Sequence, residues 1–130
     1  MSVVDTSAIV AALALEDDRL LRRIATEAEL HAPHLVDLEV LDALRKLVAR
    51  REVSEDRAAY IREDFAALRI ERSPHEPFAE RVWELRANLS SYDAVFVALA
   101  ETLDLPLVTY DMRLAGAPGH GATVEAFGPR

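Results

Sequence analysis

The feature that most constrains this chain is a break close to its start. The apolar pair Val3-Val4 runs into Asp5, Thr6 and Ser7, and Ala8-Ile9-Val10-Ala11-Ala12-Leu13 resumes at once in helical register. A buried strand that ends at an acid and turns directly into a helix opens an α/β unit. Open α/β sheets bind their ligands at such turns, where strand carboxyl ends and helix N-termini meet. Asp5 therefore stands at the mouth of a sheet, and its meaning depends on whether other acids reach the same edge.

The alternation continues along the chain. Glu16-Asp17-Asp18 opens a helix through Ala25, with acids first and Arg22-Arg23 later, as a helix dipole favours. Residues 30–33 read as a short strand. Residues 35–51 read as a long helix with Val36, Val40, Ala43, Leu44, Leu47 and Val48 on one stripe. Leu38 and Leu41 lie off that stripe, so a second apolar side is expected to meet a second copy or a partner. Ser54 reads as the cap of a helix to about Leu68, and residues 68–70 as a short strand. Ser73-Pro74-His75-Glu76 has the pattern of a helix start, with the helix reaching Ala87. Ser91 reads as the cap of a strongly apolar helix to Glu101, and residues 105–109 as a strand entering Tyr110-Asp111. All four glycines fall at or after Gly116, marking a looser tail in which residues 123–127 form a last edge strand. With no repeat and no linker, the pattern predicts a single α/β domain over 1–130 around a mainly parallel sheet.

Composition narrows the function classes. Absence of cysteine excludes disulfides and thiolate metal sites and suits a reducing compartment. No apolar run is long enough to span a bilayer, and no basic, then hydrophobic, leader opens the chain. A cytoplasmic protein without a membrane partner is expected. The net charge of −8 weighs against nucleic acid, unless several acids are gathered on a cation. Lys46 is the only lysine among 15 basic residues, and the rest are arginines, whose planar forks suit phosphate. Genome composition explains that bias equally well, so charge does not decide the matter.

Four acids interrupt apolar or junctional contexts: Asp5 at a strand end, Glu39 beside the stripe of the long helix, Asp93 in the first turn of an apolar helix, and Asp111 after a buried strand. In a parallel sheet the turns after the first and the late strand open on one edge. Four carboxylates there would repel one another unless a divalent cation neutralised them. An oxygen-only donor set favours Mg²⁺ or Mn²⁺. Such a site suits phosphodiester hydrolysis, because the ion lowers the pKa of a water and stabilises charge on phosphate oxygens. Taken singly, Asp93 serves a helix dipole equally well, and Asp111 can cap a helix at Leu114-Ala115. Asp5 lacks such a duty, since Thr6 or Ser7 can cap the first helix. Glu39 has close rivals in Asp37 and Asp42. The four histidines carry no motif and are read as incidental.

Together, Val3-Val4-Asp5-Thr6-Ser7-Ala8, Glu39 with the Val-Leu-Asp-Ala-Leu-Arg that follows it, Tyr92-Asp93-Ala94 with Val97-Ala98-Leu99-Ala100-Glu101, and Pro106-Leu-Val-Thr-Tyr-Asp111-Met-Arg-Leu-Ala115 resemble a PIN-domain ribonuclease. The likeness is nearest to the VapC-type toxins of bacterial type II toxin–antitoxin systems and spans nearly the whole chain in order. It implies a three-layer α/β/α sandwich and Mg²⁺-dependent endonucleolytic cleavage of RNA, with Mn²⁺ as an alternative ion. It also implies inhibition by a cognate VapB-type antitoxin, and usually a homodimer. Residue by residue, Asp5 and Asp93 match the main metal ligands. Glu39 matches the helix glutamate, picked out over Asp37 and Asp42 by the Ala43-Leu44-Arg45 that follows. Asp111 matches the fourth acid, which completes the shell or holds a second ion. Thr6, Ser7 and Thr109 fall at supporting hydroxyl positions.

Arg86 and Arg113 flank these motifs and are candidates for phosphate contacts, though solvated surface charge accounts for them as well. Tyr92 and Tyr110 adjoin the acids and can stack on a base, whereas Trp83, spaced with Phe78 and Leu85, reads as core. Two other readings compete with an active nuclease. One is a PIN-like domain that has lost catalysis and serves binding or assembly. The other is a phosphatase with an aspartate nucleophile, which wants a second acid where Ser7 stands. No glycine precedes Gly116, so there is no phosphate loop.

Overall fold

The computed structural model describes residues 1–129. Five short strands form one parallel sheet: β1 (Ser2–Val4), β2 (Leu30–Pro33), β3 (Ile70–Ser73), β4 (Leu107–Thr109) and β5 (Val124–Ala126), in the order β3-β2-β1-β4-β5. Parallel strands need crossovers, and helices supply them. These are α1 (Thr6–Leu13), α2 (Asp18–Ala25), α3 (Val36–Ala49), α4 (Glu55–Ala67), α5 (Ala79–Glu84), α6 (Ser91–Leu103) and α7 (Met112–Gly116). α1 to α4 pack together on one face of the sheet, α5 and α6 lie on the other, and α7 packs beside β5. The three layers explain why β1 and β4 are buried on both sides and carry no polar–apolar alternation. α6 is likewise buried for seven consecutive residues, Ala94 to Ala100.

The sheet grows outward from β1 in both directions, so the build reverses between β1 and β4. That reversal is the position at which open α/β sheets leave a crevice at their carboxyl edge. In register, Val3 pairs with Leu107 and Val4 with Val108, which sets Asp5 beside Thr109.

Several boundaries differ from the sequence reading, each for a packing reason. Ser73 does not cap a helix; it ends β3, paired in register with Pro33. The third strand accordingly lies at 70–73 rather than 68–70. The helix expected from Ser73 begins only after a 3₁₀ turn at Glu76–Phe78 and stops at Glu84. Ser90, not Ser91, caps α6, accepting from the Asp93 N–H. Trp83 is not core. Leu85 takes the buried position, and Trp83 is 66% exposed beneath the Arg86 guanidinium, 4.4 Å from its ring centre. Leu38 and Leu41 both face solvent, at 73% and 43% exposure. Among the described residues, no helix is long and apolar enough to cross a membrane.

Candidate active site

At the carboxyl edge between β1 and β4 lies a cleft of about 390 Å³. Asp5, Thr6, Ser7, Glu39, Asp93, Tyr110 and Asp111 form its polar wall, and Val10, Ala11, Leu15, Ala43 and Phe96 its apolar wall. The four acids that sequence singled out thus reach one cavity from β1, α3, α6 and the turn after β4.

Asp5 is the most deeply set, at 6% exposure. Its Oδ1 accepts from the Ser7 hydroxyl at 2.7 Å and the Ala8 N–H at 2.9 Å, and its Oδ2 from the Thr109 hydroxyl at 2.5 Å. Asp5 is therefore the N-cap of α1, a duty the sequence reading gave to Thr6 or Ser7. Both hydroxyls are spent elsewhere. Ser7 Oγ also accepts the Tyr110 N–H, and Thr109 Oγ1 the Asp111 N–H, each at 3.0 Å. These bonds fasten the turn after β4 to the first turn of α1. Thr6 donates to Glu39 Oε1 at 2.8 Å. The rival acids of α3 face away and are neutralised: Asp37 by a bidentate Arg72, Asp42 by Arg45 and Lys46.

Burial pushes the Asp5 carboxyl above its ordinary value, against the pull of Thr109, Ser7 and the Ala8 amide. Glu39 is also raised, chiefly by burial, with the charges of Asp93 and Asp5 adding to it. Asp93 is raised by burial and by the charge of Asp111, with Ser90 and Arg113 opposing. Among the described residues, none of these three carboxylates bonds a cationic side chain. Asp111 differs. Arg113 holds it below its ordinary value, filling Oδ1 from its N–H and Nε and Oδ2 from Nη2. Asp111 also caps α7.

The donor set is oxygen-only, acidic and short of positive charge, which suits a hard divalent cation. Among the described residues, no three acidic or histidine side chains are set as a ready-made cage. That is compatible with Mg²⁺, which keeps several waters and takes only one or two carboxylates directly.

The PIN domain family matches residues 2–119. The chain belongs to the PIN domain family. Within it the chain falls with the VapC ribonucleases. It is 46% identical over 120 residues to ribonuclease VapC1 of Mycobacterium tuberculosis, covering 90% of each chain. It is also 46% identical over 115 residues to ribonuclease VapC9 of the same organism, covering 88% of this chain and 89% of that one. Among solved structures, PAE2754 from Pyrobaculum aerophilum is 28% identical with a TM-score of 0.65, covering 95% of this chain and 89% of that chain. VapBC2 from Rickettsia felis, bound to a DNA fragment from its promoter, has a TM-score of 0.71 at 16% identity, with 96% and 97% coverage. The second likeness bears on the fold alone.

Not every residue singled out in this PIN domain lines the cleft. Tyr110 does, while Tyr92 is exposed and Arg86 is folded onto Trp83. None of the four histidines lines it. The apolar wall was not foreseen, yet the signal was present. Val10, Ala11 and Ala43 each lie four residues after Thr6, Ser7 and Glu39, so they share a helix face with them.

Proposed function

We propose that this chain is the toxin of a VapBC-type pair, an endoribonuclease that hydrolyses RNA phosphodiester bonds at the β1/β4 cleft with Mg²⁺ or Mn²⁺. The observation that carries this reading is the convergence of Asp5, Glu39 and Asp93 on one cavity with no cationic side chain bonded to any of them among the described residues. Kinship with the VapC ribonucleases supplies the substrate class.

Asp5 and Asp93 would hold the ion, with Glu39 beside them. When bound, the ion supplies charge neutralisation for the carboxylates and Lewis-acid stabilisation of the phosphate oxygens. Ser7, Thr109 and the Ala8 amide fix Asp5 in one rotamer, so the site is organised before substrate arrives. Glu39, with Oε1 held by Thr6, presents Oε2 to take a proton from the attacking water, and its raised pKa makes it a better base. Arg113, at the rim, offers its guanidinium to the phosphate. The exposed Leu38 and Leu41 of α3 suit coverage by a VapB-type antitoxin or a second copy of the chain. On this reading the chain acts in the cytoplasm, where it would meet its RNA substrate.

The test is cleavage of a mixed RNA pool by the purified chain, with Mg²⁺ and with chelator. Cleavage should require the ion and be lost in Asp5→Ala. Intact RNA under every metal condition would leave the non-catalytic binding domain as the better reading. Hydrolysis of small phosphate esters, lost in Asp5→Asn, would favour the aspartate-nucleophile phosphatase.

A further inference from the structure

Asp111 is bonded differently from the other three acids of the cleft. Asp5 and Glu39 accept only from hydroxyls and one backbone amide, so their charge stays uncompensated. Asp111 receives a guanidinium across both oxygens, at 3.0 Å from Nε and 2.7 Å from Nη2, and a backbone N–H at 2.9 Å. A carboxylate engaged in this bidentate way shares its charge with the guanidinium and has fewer free lone pairs for a metal ion than Glu39 or Asp93. The partner is also local. Arg113 lies two residues on, and its own N–H binds the same Oδ1 that its Nε binds, so one turn of chain fixes the fork.

The arginine is engaged on one side only. Its side chain is 86% exposed, and among the described residues no hydrogen bond to its Nη1 is present. Its charge lowers the Asp93 carboxyl slightly against the larger effect of burial, and Asp93 in turn raises Arg113. The pair thus sets a guanidinium with one free face next to Asp111, a lining residue of an otherwise acidic cavity. A guanidinium so placed suits the phosphate of an anionic substrate.

We propose that Asp111 is a positioning residue for Arg113 and not a ligand of the cation: it orients the guanidinium beside the cleft so that Nη1 binds a non-bridging phosphate oxygen, while Asp5 and Asp93 hold the ion with Glu39 beside them. This rests on the nuclease reading above and refines the division of labour within it. Asp111 then acts on RNA binding, and only through Arg113.

The test separates metal binding from substrate binding in the full chain. Mn²⁺ binding is measured by calorimetry without RNA, and KM and kcat on one RNA substrate, for wild type, Asp93→Asn, Asp111→Asn, Arg113→Ala, Arg113→Lys and the Asp111→Asn/Arg113→Ala double variant. Asparagine caps a helix as well as aspartate, so Asp111→Asn keeps α7. Asp111→Asn should bind Mn²⁺ within about twofold of wild type, whereas Asp93→Asn loses about tenfold or more. Asp111→Asn and Arg113→Ala should each raise KM about ten- to hundredfold, as expected for one charge-assisted hydrogen bond. The double variant should be no worse than either single one. Arg113→Lys should recover only part of the loss, because a point charge cannot span both carboxylate oxygens. Loss of Mn²⁺ binding in Asp111→Asn equal to that in Asp93→Asn would overturn the proposal and make Asp111 a ligand. An unchanged KM in Arg113→Ala would overturn it as well. No saturable Mn²⁺ binding by the wild type would instead remove the metal-dependent reading on which the proposal stands.

Discussion

Ser7 and Thr109 each give their one hydroxyl proton to Asp5 and accept a backbone N–H from the turn after β4. Thr109→Val removes the donor to a buried carboxylate oxygen and should destabilise the fold by about 1–3 kcal/mol in urea unfolding, while Thr109→Ser should stay close to wild type. Asp93 illustrates the opposite case. Its charge is disfavoured by burial and by Asp111, so Asp93→Asn should raise the melting temperature of the metal-free chain while cleavage of RNA is lost. At this scale the sequence was informative about residue type and poor about duty. The hydroxyls beside Asp5 were legible as supports, but the capping role of Asp5 was not. One oxygen that serves both Ser7 and the Ala8 amide has no signature in spacing. The Asp111–Arg113 fork was equally hidden, since an i, i+2 acid–base pair is common on solvated surfaces.

The elements were legible where periodicity was long, as in α3, α4 and α6, and less so where tertiary pairing overrode local pattern. Ser73 has the neighbours of a helix cap, yet its place in the β2–β3 ladder makes it a strand end. Trp83 has core spacing on a helix only six residues long, and Leu85, just past its end, takes the buried position. The caps that did form allow a paired test. Ser54 caps α4 away from the cleft, and Ser90 caps α6 by accepting the Asp93 N–H. Ser54→Ala and Ser90→Ala should each cost about 1 kcal/mol of stability, measured by chemical denaturation. Only Ser90→Ala should also slow RNA cleavage, because it frees the turn that carries Asp93.

For the whole molecule, the fold was readable because each apolar strand ran into a turn and each turn into a helix, and parallel pairing then brought the ends of β1 and β4 to one edge. The same arrangement gives stability an unusual dependence on pH. Asp5, Glu39 and Asp93 hold protons more readily folded than unfolded, since burial raises all three above ordinary values of 3.8 and 4.5. Unfolding in the window above those values releases protons, so metal-free stability should fall as pH rises through it. Glu27 works in the other sense. The N-terminal ammonium, Ser2 and Arg23 hold it at about 2, so its contribution is complete above 4.5 and is lost as pH falls from 4.5 to about 2. Glu27→Gln should flatten the acid limb of a pH–melting curve and leave the neutral limb unchanged.

A divalent cation should reverse the neutral limb by binding the folded acids, which gives the most direct test of three uncompensated carboxylates sharing one site. The measurement is the melting temperature at neutral pH over a Mn²⁺ titration, for wild type and for the Asp5→Asn/Asp93→Asn double variant. At a hundred times its Kd the ion adds about 2.7 kcal/mol, so the wild-type melting temperature should climb by several degrees while the double variant stays flat. A wild-type melting temperature indifferent to millimolar Mn²⁺, or an equal rise in the double variant, would contradict a cation site held by Asp5 and Asp93 beside Glu39.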